Sequence, residues 1–179
     1  MKKCHFVFVI LCIILSCEKK DDYSQLTYNQ KANELIQQVL KNDSCNCLLE
    51  IPNESMIKTS IAENPRFNIK KELIKRLHLK NQNQLDSLEN VSENFILDTV
   101  FLKQKNITVI KRDSISELIE NRSRILLKKC PKGVIYFSKP ILNERNKISI
   151  ISHNQIFSCL GFPMNVYNYK NDKWVYEKI

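Results

Sequence analysis

Apolar positions recur along this chain in three rhythms: one unbroken run, then stripes at helical spacing, then short strand-like bursts. The unbroken run is Phe6–Leu15 (FVFVILCIIL), which carries no charged residue. It is too short to cross a hydrocarbon core, which takes roughly 20 apolar residues. Leu35, Ile36, Val39 and Leu40 then repeat at helical spacing behind a Thr27/Gln30 capping-box pair, which predicts a helix over 28–41. Asn42-Asp43-Ser44 ends it, and a short apolar piece, Cys45–Ile51, precedes Pro52 and an expected polar loop. Ile69, Leu73, Ile74 and Leu77 form one stripe and predict a second helix over 68–78, with Leu85 and Leu88 continuing the pattern to about residue 91. Ser114 and Glu117 repeat the capping-box spacing ahead of Leu118, Ile119 and Ile125-Leu126-Leu127, which predicts a helix over 114–128.

The bursts fall mainly in the last third. Val134–Phe137, Lys147–Ser152, Asn165–Tyr169 and Lys173–Tyr176 read as strands, with Phe95–Phe101 and Ile107–Ile110 as two earlier ones. Turn-forming residues separate the late strands: Asn143-Glu144-Arg145-Asn146, then Gly161-Phe162-Pro163, then Asn171-Asp172. Short strands joined by tight turns make an antiparallel meander. The expected fold class is α+β, with N-terminal helices packed on a C-terminal antiparallel β-meander, and Trp174 is expected to plug the core between them.

The charge pattern changes the meaning of the first run. Met1-Lys2-Lys3 precedes it, and Ile14-Leu15-Ser16-Cys17 gives way abruptly to Glu18-Lys19-Lys20-Asp21-Asp22. A positive start, an apolar middle and a small residue before the cut is the layout of a secretory signal. Ile14-Leu15-Ser16-Cys17 resembles the lipobox of bacterial lipoproteins. The resemblance implies diacylglycerol on the Cys17 thiol, cleavage just before it, and stable anchoring, because each buried CH₂ contributes ~0.8 kcal/mol. Lys20-Asp21-Asp22 resembles the tether of lipoproteins sent to the outer cell face. The expected organisation is therefore a signal peptide over 1–16, a lipidated tether over 17–24 and a single α+β domain over 25–179, held at the outer membrane or cell surface.

Lys and Arg number 28 against 19 acidic side chains, a formal net charge of +9 that falls to about +7 once Lys2 and Lys3 leave with the signal. A basic surface outside the cytoplasm suits anionic glycans, lipid headgroups or an acidic protein face, and export argues against nucleic acid. Four cysteines follow the lipidated one: Cys45, Cys47, Cys130 and Cys159. In an oxidising compartment they are disulfide candidates. One residue separates Cys45 from Cys47, which disfavours a bond between them, so the expected arrangement joins that pair to Cys130 and Cys159 with the connectivity open.

Residues 133–178 also resemble the ending of many uncharacterised exported bacterial proteins. The matching pieces are Phe137-Ser138-Lys139-Pro140-Ile141, Ile148-Ser149-Ile150-Ile151, Ser158-Cys159-Leu160-Gly161-Phe162 and Asn171-Asp172-Lys173-Trp174-Val175. The Cys159 loop departs from the usual form, which carries more glycine and often a second cysteine. The resemblance implies no activity.

Catalytic signals are sparse. Neither HExxH nor GxSxG occurs, and with Gly133 and Gly161 as the two glycines a glycine-rich phosphate cradle is excluded. No cofactor motif is present, and Cys45-x-Cys47 is spaced too tightly for a usual zinc pair. His78 falls at the end of a basic helix, where a cation suits the C-terminal dipole. His153 falls at a strand end near Cys159. Three functions follow as expectations. The favoured one is a surface-exposed lipoprotein that binds an anionic or protein partner without catalysis. The others are a small envelope hydrolase using His153 with Cys159 or a carboxylate, and an inhibitor or immunity lipoprotein. A basic protein is a poor match for cationic lysozymes, which weakens the last.

Overall fold

The computed structural model describes residues 27–42, 45–63, 68–115, 126, 128–155 and 164–177. Among the described residues the delimited helices are α1 (Tyr28–Asn42), α2 (Met56–Glu63), α3 (Ile69–Arg76), α4 (Gln82–Glu93) and α5 (Thr99–Gln104). Seven strands are β1 (Cys47–Leu49), β2 (Thr108–Ile110), β3 (Ile135–Phe137), β4 (Ile141–Asn143), β5 (Ile148–Gln155), β6 (Met164–Lys170) and β7 (Lys173–Tyr176). They form one sheet in the order β2-β1-β3-β5-β6-β7, with β4 also paired to β5. The fold is α+β.

The sheet is mixed rather than wholly a meander. β3 to β7 pair antiparallel, whereas β1 pairs in parallel with both β2 and β3. Helices lie between β1 and β2 in the chain, and a helical crossover returns the chain in the same direction. Both faces are covered. Ile151, Tyr167, Phe137 and Trp174 pack with Leu35, Ile36, Val39 and Leu40 of α1. On the reverse face Ile141, Ile148, Ile150 and Val166 pack with residues of α2, α3 and α4. A third cluster joins Cys47, Leu49 and Ile110 to Leu126, Cys130 and Val134. Five consecutive residues of β5 are buried for this reason, where a strand with one wet face alternates.

β3 and β4 are two halves of one interrupted strand. Phe137 faces His153 and Ile141 faces Ile150, so Ser138, Lys139 and Pro140 oppose only Ile151 and Ser152. The extra residue makes a bulge. Ser138 N–H donates to the Ser152 carbonyl at 2.8 Å, and the Ser138 hydroxyl accepts from Ser152 N–H at 2.9 Å. Pro140 has no N–H to leave unpaired there. The Ser-x-Pro signature is thus a bulge signature. It turns Lys139 inward, where its ammonium donates to the Asn53 and Glu93 carbonyls at 2.6 and 2.8 Å.

At the far edge Trp174 is 1% exposed and closes the core against α1. Its backbone is met from α1 as well: Gln38 Oε1 accepts from Trp174 N–H at 2.9 Å, and Gln38 Nε2 donates to the Trp174 carbonyl. The β6–β7 turn places Asn171 and Asp172 at φ of 51° and 58°, the paired left-handed conformation of a tight hairpin.

Three expectations need correction. The run Phe95–Phe101 is not a strand: α5 begins at Thr99, because Asp98 caps it by accepting from Val100 and Phe101 N–H at 2.9 and 3.1 Å. The loop expected after Pro52 contains α2, whose first turn is started by the Ser55 hydroxyl accepting from Lys58 N–H at 3.2 Å. The helix expected over 114–128 is helical already at 112–115, and again at 126, 128 and 129, while 116–125 and 127 lie outside the described residues.

Candidate functional site

Of the residues singled out from sequence, Cys17 and Cys159 lie outside the described residues. Cys47 and Cys130 are joined in a disulfide spanning 83 positions of sequence. Cys45 is buried beside them, its Sγ 2.9 Å from the Lys132 carbonyl and 3.3 Å from Gln155 Nε2. Gly133, at φ 89°, shapes the turn that brings Lys132 there.

His153 sits on β5 with Nε2 2.8 Å from the Tyr167 hydroxyl. The ring packs at 5.7 Å from Phe137 and 6.1 Å from Tyr167, centroid to centroid. Burial pushes the Tyr167 phenol up to about 12, helped by neighbouring Tyr176. A phenol held in its neutral form serves as a hydrogen-bond partner that fixes the imidazole.

The most built cleft lies elsewhere, between the end of α3, the start of α4 and the β4–β5 turn. Its volume is about 470 Å³, and its walls include His78, Lys80, Gln84, Asn143, Arg145 and Asn146 over a floor of Leu79 and Leu88. Local chemistry explains the arrangement. α3 stops at Leu77, and His78 takes a left-handed φ of 54° in place of a glycine, so that Leu79 N–H reaches back to the Ile74 carbonyl at 2.9 Å. The exposed carbonyls at this helix end are satisfied from the sheet. Asn143 Nδ2 donates to Leu77 O at 2.7 Å, and Asn146 Nδ2 reaches Leu77 O and His78 O at 3.4 Å. On the other wall Asn81 caps α4 by accepting from Gln84 N–H, and Gln84 Oε1 accepts from Lys80 N–H at 2.8 Å.

These bonds fix the backbone on both sides and leave the His78, Lys80 and Arg145 side chains exposed at the rim. Among the described residues no carboxylate lines this cleft. Glu144, next to Arg145, is drawn away to the buried Lys31 ammonium at 3.0 Å. The start of α4 adds the positive end of a helix dipole. The result is an apolar floor under a cationic rim. Sequence reading treated His78 as a helix-end cation and Asn143–Asn146 as a turn. It did not bring Lys80, Arg145 and Gln84 together, because their meeting depends on the docking of α3 and α4 against β4.

A second groove of about 350 Å³ lies past the end of β1, lined by Ile51, Pro52, Phe95, Leu97, Val109 and Lys139 among others. Burial lowers the Lys139 ammonium from the ordinary lysine value, against the opposing pull of the Glu93 carboxylate. Its two carbonyl partners make it a fastener of this wall rather than a reactive amine.

Among the described residues no group of three or more His, Cys, Asp or Glu is placed to hold a metal, and no helix is long and apolar enough to cross a membrane. No family model, curated protein or solved structure matches the chain.

Proposed function

We propose that the chain is a lipid-anchored envelope protein at the outer membrane or cell surface, and that it works as a non-catalytic binding module for an anionic ligand. The observation that carries the binding half is the His78/Lys80/Arg145 rim over Leu79 and Leu88, with Glu144 committed to Lys31. Pockets of this make-up take an amphiphilic anion: charge is met at the rim and an apolar portion lies on the floor. The anchoring half is supported by the resemblance of Ile14–Cys17 to a lipobox and by the tether that follows. The fitting ligands are acidic glycans and lipid phosphates of the envelope.

Two measurements test the halves separately. The intact mass of protein recovered from a membrane fraction is expected to match a chain beginning at Cys17 plus acyl groups; an unacylated chain rejects the anchor. Calorimetric titration with a water-soluble short-chain phosphatidate and with an oligogalacturonate tests the cleft. Replacing Lys80 and Arg145 together by Ala is expected to weaken binding by roughly tenfold or more, on the scale of two lost charge-assisted contacts. Affinity is also expected to fall with salt, as the Debye length contracts from ~10 Å at 0.1 M to ~3 Å at 1 M. Equal affinity of the variant and the parent for both ligands rejects the cleft.

A further inference from the structure

The two most exposed large hydrophobic side chains among the described residues are Ile96, at 71%, and Val100, at 63%. They lie four residues apart, on the segment that leads into α5 and on its first turn. Their exposure is built rather than incidental. Ile96 N–H donates to Asn29 Oδ1 at 3.0 Å, and the Ile96 carbonyl accepts from Asn33 Nδ2 at 2.8 Å. Asp98 N–H donates to Asn33 Oδ1 at 2.7 Å, and Asp98 Oδ2 accepts from Gln37 at 3.2 Å. Its other oxygen caps Val100 and Phe101. With the Ile96 backbone and the Asp98 carboxylate held inward, the Ile96 and Val100 side chains are left pointing outward.

The partners that hold it, Asn29, Asn33 and Gln37, belong to α1, the first described helix. Ten residues separate Cys17 from Tyr28. Whatever their conformation, they reach at most about 35 Å. An acyl anchor on Cys17 therefore keeps the start of α1, and with it Ile96 and Val100, within a short reach of the bilayer. Lys103, one turn on from Val100, stands exposed on the same side of α5, and the nearby Asp98 carboxylate is consumed in capping.

We infer that the face formed by Ile96, Val100 and Lys103 rests on an anionic lipid surface, so that anchor and face together set the orientation of the domain. The inference rests on the anchored reading proposed above. Two apolar side chains enter the headgroup boundary, and the Lys103 ammonium meets a lipid phosphate, adding to membrane attraction near the surface. α4 has twelve residues and is about 18 Å long, and it separates Ile96, just past its end, from the cleft walls at its start. Resting on the bilayer by Ile96 thus leaves the cleft free for ligand.

The test uses the full chain, purified in its membrane-derived form and reconstituted in phosphatidylcholine–phosphatidylglycerol vesicles containing brominated lipid. Ile96→Trp places a fluorophore on the face, over the constant background of buried Trp174; Val175→Trp places one on the opposite edge of the sheet. The expected result is loss of emission for Ile96→Trp and none for Val175→Trp. If the protein carries its acyl groups and Ile96→Trp is not quenched, the face is wrong while the anchor stands. If emission at 96 shifts with protein concentration and not with brominated lipid, a second copy covers the face and the inference is overturned. If the mass shows no acyl groups, the anchored reading fails and takes this inference with it.

Discussion

Without its hydroxyl, residue 138 would deprive the buried Ser152 N–H of its acceptor at the bulge between β3 and β4. Ser138→Ala is expected to cost about 1–3 kcal/mol in chemical denaturation, and Ser138→Thr to restore most of it. Gly133 is the complementary case. A side chain there would meet Cys45 Sγ and Gln155 Oε1 at an ordinary 3.8 Å, so nothing clashes and only the φ of 89° resists. Gly133→Ala is expected to cost about 1–2 kcal/mol, the strain of a left-handed residue, read from the same denaturation curves. At this scale the sequence was unevenly legible. Asn171 and Asp172 announce their hairpin because their side chains tolerate φ > 0. His78 takes the same conformation and announces nothing, because tertiary bonds from Asn143 and Asn146 hold the turn.

Helices α1 and α3 could be traced from apolar spacing because each turns one stripe to the sheet. α4 showed only as a continuation of the α3 pattern, and the break between them, set by the left-handed His78 and the Asn81 cap, did not show. α5 could not be traced. Phe95, Ile96, Thr99, Val100 and Phe101 have strong strand propensity, yet propensity yields to capping and packing. Asp98 supplies the cap and Leu102 the buried contact. Asp98→Ala is expected to destabilise by about 1 kcal/mol, and to loosen the 96–100 segment in hydrogen exchange before the rest of the domain. Asp98→Asn, which keeps an acceptor at the cap, is expected to recover much of that loss. α2 was hidden in a polar stretch for the same reason: its start is set by Ser55, not by a long apolar stripe.

For the molecule as a whole, the α+β class and the late strands were legible, and the parallel entry of β1 was not. Three residues carry no sign of which neighbour they will pair with; the crossovers decide. The Cys47–Cys130 bond fastens that strand to the segment before β3. Closing a loop of this length stabilises by about 4 kcal/mol in the chain-entropy view, so Cys130→Ser is expected to lower the denaturation midpoint steeply, within a range of about 2–5 kcal/mol. Alkali acts on the same core. Burial raises the Tyr28 and Tyr167 phenols above their ordinary value near 10, Tyr167 to about 12. Above pH 10 the unfolded chain releases protons that the folded chain retains, so stability falls as pH rises. Lys139, shifted down, contributes in the opposite sense, but its gain is complete near its ordinary value of 10.5. Tyr28 and Tyr167 are expected to ionise well above pH 10, as a late phase in a spectrophotometric titration of tyrosinate.

Gln38 has a bearing on solubility. An open sheet has two edges, and an edge with free peptide groups recruits further strands. At β7 the Gln38 carboxamide already occupies both backbone groups of Trp174, one of the residues through which a newcomer would dock. β2 at the other edge has no such guard among its described contacts, but it is three residues long. One glutamine on a helix thereby closes the β7 edge at Trp174 to an incoming strand.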